Sequence, residues 1–167
     1  DELDHLLDVL TINVSRFFRD TLTFELIADR ILPGIIGEKI LARDHSLRVW
    51  SAGCANGEEP SSLAILIYEF LQNEAVPMSL HIFATDIDGW SLKDAENALY
   101  PPTSVVNIKH RLLMKYFTSE GTSFRLIPEI KNLVKLTLYD MLDKKHGVPP
   151  DSVFGHFDLV LCRNLLI

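Results

Sequence analysis

RVWSAGCANGEEPSSLAILIYEFL, Arg48–Leu71, is the stretch that decides the fold. It reads as a buried strand over Arg48–Ala52, a glycine-bearing turn, a pair of acids and an apolar helix over Pro60–Gln72. A strand that hands the chain through a Gly turn to a helix N-terminus is the usual cradle for a nucleotide-like ligand in an open α/β sheet. Here Glu58 and Glu59 stand where a phosphate binder would present bare amides or a lysine. A helix N-terminus favours anions, and two carboxylates in its first turn take up that positive field. Pyrophosphate would meet repulsion, whereas a nucleoside with a cationic tail would not. The turn therefore points to S-adenosylmethionine rather than to NAD or ATP.

Working outward, strands and helices alternate. His81–Thr85 is strand two and runs into Asp86-Ile87-Asp88-Gly89, followed by a helix over Ser91–Tyr100 that Pro101 and Pro102 end. A helix at about 107–117 comes next, then a short hairpin at Ser123–Ile127 turning near Pro128-Glu129, strand three at Val134–Tyr139 and strand four at Phe157–Cys162. Upstream, Leu3, Leu6, Leu7 and Leu10 fall at helical spacing and read as the end of an earlier helix, and residues 11–19 are a connector. A helix over Thr21–Ile31 has Asp20 as its N-cap and is broken by Pro33, Gly34 and Gly37. The pattern predicts an α/β fold with a mostly parallel sheet and helices on both faces. Strand four, FDLVLC, has the composition of a strand covered on both edges. With only Asn164–Ile167 and Arg163 after it, the chain is expected to be a fragment, or to self-associate through the uncovered sheet edge.

The chain has 167 residues, 47% hydrophobic and 23% charged, which suits one globular domain with a real core. A net charge of −7 argues against a nucleic-acid partner held through phosphates. No apolar run approaches the ~20 residues of a membrane span, so no membrane insertion is expected. Cys54 and Cys162 are too few for a disulfide framework and read as small buried hydrophobes, reduced in a cytoplasmic protein. The six histidines never fall at metal-ligand spacing, and Asp86-Ile87-Asp88-Gly89 lacks the third acid and distal glutamate of a calcium loop, so no metal is expected.

Four blocks carry a resemblance. NVSRFFR (Asn13–Arg19), WSAGCANGEEP (Trp50–Pro60), ATDID (Ala84–Asp88) and FDLVLCRN (Phe157–Asn164) occur in the order and spacing of the CheR family. The chain resembles these S-adenosylmethionine-dependent methyltransferases, which esterify glutamate side chains of bacterial chemoreceptors. The resemblance implies a class I, Rossmann-like methyltransferase sheet, incomplete at its C-terminus, with a small β-hairpin insertion. Residues 1–12 would then end an upstream helical region, and 13–167 would form a partial catalytic domain with 118–133 as the β-subdomain.

Asp86 ends strand two, where an acid accepts from both ribose hydroxyls; the alternative is a turn acid capping the next helix. Glu59 matches the family acid that helps hold the cationic methionine end, against a capping box with Asn56. Gly53 permits close approach of a ligand, or is a bare turn glycine. Asn13, Ser15 and Arg19 match polar members of the family's N-x-T/S-x-F-F-R block, with Ser15 where threonine is commoner. Phe17 and Phe18 read as core anchors. Arg19 is the candidate catalytic residue, orienting the substrate carboxylate by charge-assisted hydrogen bonds. Asp140 and Met141 fall where the family contacts adenine, usually through N-L, and Arg163 and Asn164 resemble its R-N cofactor contacts, or simply cap the strand end.

The implied reaction moves a methyl group in line from sulfonium to a carboxylate oxygen. A glutamate with a pKa of ~4.3 is already ionised at neutral pH, so no general base is needed, in keeping with the lack of a Ser/His/Asp or Cys/His constellation. The implied partner is a chemoreceptor cytoplasmic domain. The family motif continues past Ile167 with a tyrosine, which leaves the chain's own activity open. A non-catalytic cofactor-binding or receptor-docking module is the alternative, and a nucleotide-dependent oxidoreductase is disfavoured by Glu58-Glu59 and the lack of G-x-G-x-x-G.

Overall fold

Leu47, Val49 and Ser51 are buried on one face of the first strand while Arg48 and Trp50 are half-exposed on the other, the two-residue period of a strand in a covered sheet. In the computed structural model of the chain, which describes residues 15–74, 76–142, 149 and 156–163, this strand is β1 (Ser46–Ala52). Before it, α1 (Thr21–Leu26) runs through a π-helical stretch, Ile27–Ile31, into α2 (Leu32–Leu41). After it come α3 (Glu58–Asn73), β2 (Ser79–Asp86), α4 (Gly89–Asn97), β3 (Leu99–Tyr100), α5 (His110–Tyr116), β4 (Phe117–Glu120), β5 (Ser123–Leu126), α6 (Pro128–Lys131), β6 (Val134–Leu138) and β7 (Leu159–Cys162).

Several expectations are corrected, the helix over Ser91–Tyr100 among them, since it ends at Asn97 and Leu99–Tyr100 is a strand. Pro33, Gly34 and Gly37 do not break the second helix. Leu32 N–H donates to Ile27 O, a π-type bond, so the ladder opens just before Pro33. Pro33 then sits in the first turn of α2. The hairpin turns at Gly121-Thr122, not near Pro128: β4 pairs antiparallel with β5 from Phe117↔Leu126 to Glu120↔Ser123, and Gly121 supplies the positive φ of 61°. Pro128 and Glu129 instead open α6. Asp20 does precede α1, but with φ 61° its side chain caps no backbone N–H and accepts from the Thr23 hydroxyl at 2.6 Å.

The main sheet is parallel, in the order β6-β2-β1-β7. The chain steps from β1 to β2 to β6 in one direction and then returns to the far side of β1 for β7. The strand order therefore reverses between β1 and β7, the place where open α/β sheets bind their ligands beyond the carboxyl ends of the strands. Helix α3 covers one face, its Leu63, Ile65 and Ile67 fully buried together with Leu47, Val49 and Ile82. On the other face the Arg48 guanidinium lies over the rings of Phe83 and Phe157, at 5.3 and 5.5 Å. Strand β3 joins the hairpin in a second, antiparallel sheet, β3-β5-β4. Phe17 and Phe18 are buried as anchors, and Phe17 meets Tyr100 and Phe117 edge-on at 4.7 and 5.2 Å.

Among the described residues β7 pairs only with β1, and its start is pinned by Asp158, which accepts from Arg48 N–H at 2.7 Å and from Lys39 Nζ at 2.9 Å. Cys54 is buried but Cys162 is exposed, because it alternates with the inward Leu161 on β7. Among the described residues no helix is long and apolar enough to cross a membrane.

Candidate cofactor crevice

The glycine turn after β1 is tied to the end of β2. Gly53 N–H and Cys54 N–H both donate to Thr85 O, at 2.7 and 2.9 Å, and Ala55 N–H donates to Asp86 Oδ2 at 2.7 Å. Gly53, Ala55 and Gly57 all have positive φ, at 74°, 45° and 86°, so the backbone winds tightly before α3 begins. Three of the turn's amides, those of Gly53, Cys54 and Ala55, are thereby bonded to the end of β2.

Helix α4 has its own capping acid. Asp88 is its N-cap, accepting from Trp90 N–H at 2.9 Å and Ser91 N–H at 3.3 Å. Asp86 is therefore not the capping acid. Its two oxygens take Ala55 N–H and Asp88 N–H, at 2.7 and 3.0 Å, and a carboxylate with about four lone-pair sites keeps capacity for two further donors such as vicinal hydroxyls.

Glu59 makes no capping box either, since the N-cap of α3 is Gly57 rather than Asn56 and no side chain caps that helix. Glu59 Oε1 accepts from the Ser51 hydroxyl at 2.8 Å, while Oε2 lies 3.7 Å from Arg163 Nη1, close enough for charge attraction but beyond a hydrogen bond. Burial pushes the Glu59 carboxyl above its ordinary value, with Ser51 and Arg163 opposing that shift. A cationic group arriving beside it would restore the charged form.

Arg163, at the end of β7, bridges the crevice. Its Nη2 pairs with Asp20 Oδ2 at 3.2 Å and its Nη1 donates to Arg19 O at 3.3 Å. Arg19, exposed, thus stands at the β7 end of the crevice, between Phe18 and Asp20, both non-glycine residues at left-handed φ, 52° and 61°. Such residues cost on the order of 1–3 kcal/mol each and persist only where their surroundings over-determine them. The half-buried Ser15 lies on the same segment. Asn13 and Asn164 lie outside the described residues.

Asp140 and Met141 follow β6, so all four strand ends contribute: Gly53 and Glu59 after β1, Asp86 at β2, Asp140 and Met141 at β6, Arg163 at β7. Asp140 Oδ1 accepts from Leu142 N–H at 2.8 Å, and Met141 is 41% exposed. Ile87 was not among the sequence candidates. It is 69% exposed directly after Asp86, a large apolar side chain left at a crevice mouth. Its place between two acids in ATDID is the signal that could have marked it. Burial pushes the Cys54 thiol up, so it is no nucleophile.

Acceptors at Asp86 and Glu59 and apolar surface at Ile87 and Met141 make a lining that fits an adenosine bearing a cationic tail.

The sequence pattern described as "CheR methyltransferase, SAM binding domain" matches residues 13–167. The chain belongs to the CheR methyltransferase family. It is a Rossmann-like S-adenosylmethionine-binding domain of that family. A chemotaxis protein methyltransferase of Borreliella burgdorferi is 33% identical over 168 residues, 99% of this chain and 57% of that protein. Chemotaxis protein methyltransferase 1 of Pseudomonas aeruginosa is 32% identical over 166 residues, with 97% and 57% covered. An uncharacterized 104.1 kDa protein of Rhodobacter capsulatus is 31% identical over 166 residues, 99% of this chain but 16% of that protein. The chain thus spans a little over half the length of the two chemotaxis methyltransferases.

Proposed function

We propose that this CheR-family chain supplies the cofactor-binding part of a protein-glutamate O-methyltransferase acting on the cytoplasmic domain of a chemoreceptor. Residues 13–167 are read as part of its catalytic domain, with 118–133 as a β-subdomain, working in the cytoplasm. The observation that carries the reading is Asp86: with α4 capped by Asp88, it stands at the end of β2 with acceptor capacity to spare.

S-adenosylmethionine, when bound, supplies a methyl group on a sulfonium. Asp86 accepts from the ribose hydroxyls, Ile87 and Met141 flank the adenine with Asp140 accepting from its amino group, and Glu59 holds the ammonium of the amino-acid end. Gly53 lets the ligand approach the backbone. Arg163 fixes the Asp20 bend, and Arg19 orients the substrate carboxylate by its charge. That carboxylate is ionised at neutral pH, so the chain's task is to hold it in line and to exclude water rather than to move a proton.

Titration of the chain with S-adenosylhomocysteine and, separately, with NADH tests this reading. Binding of the former alone is expected, and Asp86→Ala should weaken it at least tenfold with the thermal midpoint held within a few degrees. Uptake of NADH with none of S-adenosylhomocysteine, or an unchanged affinity in the variant, contradicts it. Methyl incorporation into a chemoreceptor cytoplasmic fragment by a protein carrying this chain and the remaining length of its relatives separates an enzyme from a docking module.

A further inference from the structure

Glu58 adjoins the proposed cofactor contacts, yet the methyl transfer gives it no task. It is 2% exposed; its Oε1 accepts from the Ser104 hydroxyl at 3.1 Å, and its Oε2 has no hydrogen-bond partner among the described residues. A buried carboxyl with an unpaired oxygen is costly, and a smaller or apolar side chain would spare that cost. Burial pushes this carboxyl up, with the Ser104 and Ser15 hydroxyls opposing.

What surrounds it is the attachment of the Arg19 segment. Phe17 N–H donates to Ser104 O at 2.9 Å, so the serine held by the Glu58 carboxyl is the one that holds Phe17. Phe18 N–H donates to the Ser62 hydroxyl at 2.9 Å, which in turn donates to the Glu58 carbonyl at 2.6 Å. Immediately beyond these ties the chain takes the two left-handed residues on either side of Arg19, with Arg163 gripping Arg19 O and Asp20 from the opposite side. The bend is held from two sides, and Glu58 is the buried one.

We propose that Glu58 is a positioning residue: its carboxyl anchors Ser104, Ser104 fixes Phe17, and the bend that presents Arg19 to the crevice is set as a result. This rests on the reading of Arg19 as a crevice residue. The carboxyl touches neither cofactor nor substrate; it acts through Arg19.

A double-mutant cycle tests it, with S-adenosylhomocysteine as the probe, affinity read by calorimetry and folding by thermal unfolding. Arg19→Ala is expected to weaken binding tenfold or more. Glu58→Ala should weaken it at least fivefold alone but less than twofold in the Arg19→Ala background, and Glu58→Gln, which keeps shape and an acceptor for Ser104, should stay within twofold of the unaltered chain. If Glu58→Ala does not fold, Ser104→Ala takes its place in the cycle with the same expected coupling. Losses that multiply independently, a Glu58→Ala change without effect, or a Glu58→Gln loss equal to that of Glu58→Ala overturns the proposal while leaving the crevice reading standing. An Arg19→Ala variant that binds normally removes Arg19 from the crevice, and both readings of that residue fall with it.

Discussion

Gly57 meets two constraints at one position. Its φ is 86°, and a Cβ there would lie 2.9 Å from Ala95 Cβ and 3.3 Å from the Tyr100 hydroxyl oxygen. Gly57→Ala is expected to cost about 2–3 kcal/mol, combining left-handed strain with a contact that α4 can relieve only by moving; an unchanged denaturant midpoint would contradict this. At Glu59 the prediction concerns pH. Burial raises its folded pKa, so its neutral form persists above the ordinary ~4.3, and only the charged form holds an ammonium. Affinity for S-adenosylhomocysteine should therefore fall on acidification through that raised value and be regained as pH rises. Glu59→Gln should lose about tenfold in affinity at neutral pH and flatten the acid limb. A flat profile in the unaltered chain would remove Glu59 from the ammonium. At this scale the sequence names the acids but not their duties: N-x-x-E permits an Asn56–Glu59 box, and only the Gly57 cap and the Ser51 bond dismiss it. Glu58 is indistinguishable from Glu59 in GEEP until burial and Ser104 separate them.

Among elements, α3 and α5 are joined by one carboxylate. Glu69 accepts from Arg111 Nη2 at 2.8 Å, from Lys115 Nζ at 2.6 Å and from the Tyr116 hydroxyl. Burial works to raise its pKa, but the Lys115, Tyr116 and Arg111 donors outweigh it and hold the carboxyl down at about 2. A folded pKa below the unfolded one gives stability that is fully present above about 4.3 and lost as pH falls toward 2. The contribution is roughly 2 kcal/mol once discounted for the exposed Arg111 and Lys115. Glu69→Gln should lower the thermal midpoint at pH 6 and converge with the unaltered chain only as pH falls below about 2; equal midpoints at pH 6 would show the network to be inert. Element boundaries were legible where periodicity was strong, as in β1, β2 and α3. They failed where a local device overrode it. The π stretch before Pro33 carries a helix past a residue that normally stops one, and β4, with Thr118, Ser119 and Glu120 all exposed, has no alternation to betray a strand.

For the whole molecule, alternating strands and helices imply a parallel sheet, and the observed order β6-β2-β1-β7, which reverses beside β1, puts the four strand ends around one crevice. The sequence motifs mark these ends because strand ends are where a parallel sheet exposes chemistry. What they do not reveal is the closure across the crevice: Arg163 meets Asp20 over a separation of 143 residues, a contact no local pattern encodes. The central claim is that the crevice between those strand ends, floored by the glycine turn, is the cofactor site. A crystal structure of the chain with S-adenosylhomocysteine tests it most directly. The ribose hydroxyls are expected on Asp86, the ammonium beside Glu59 and the adenine between Ile87 and Met141. The same compound seated away from Gly53, with Asp86 bonded only to Ala55 and Asp88, would contradict it.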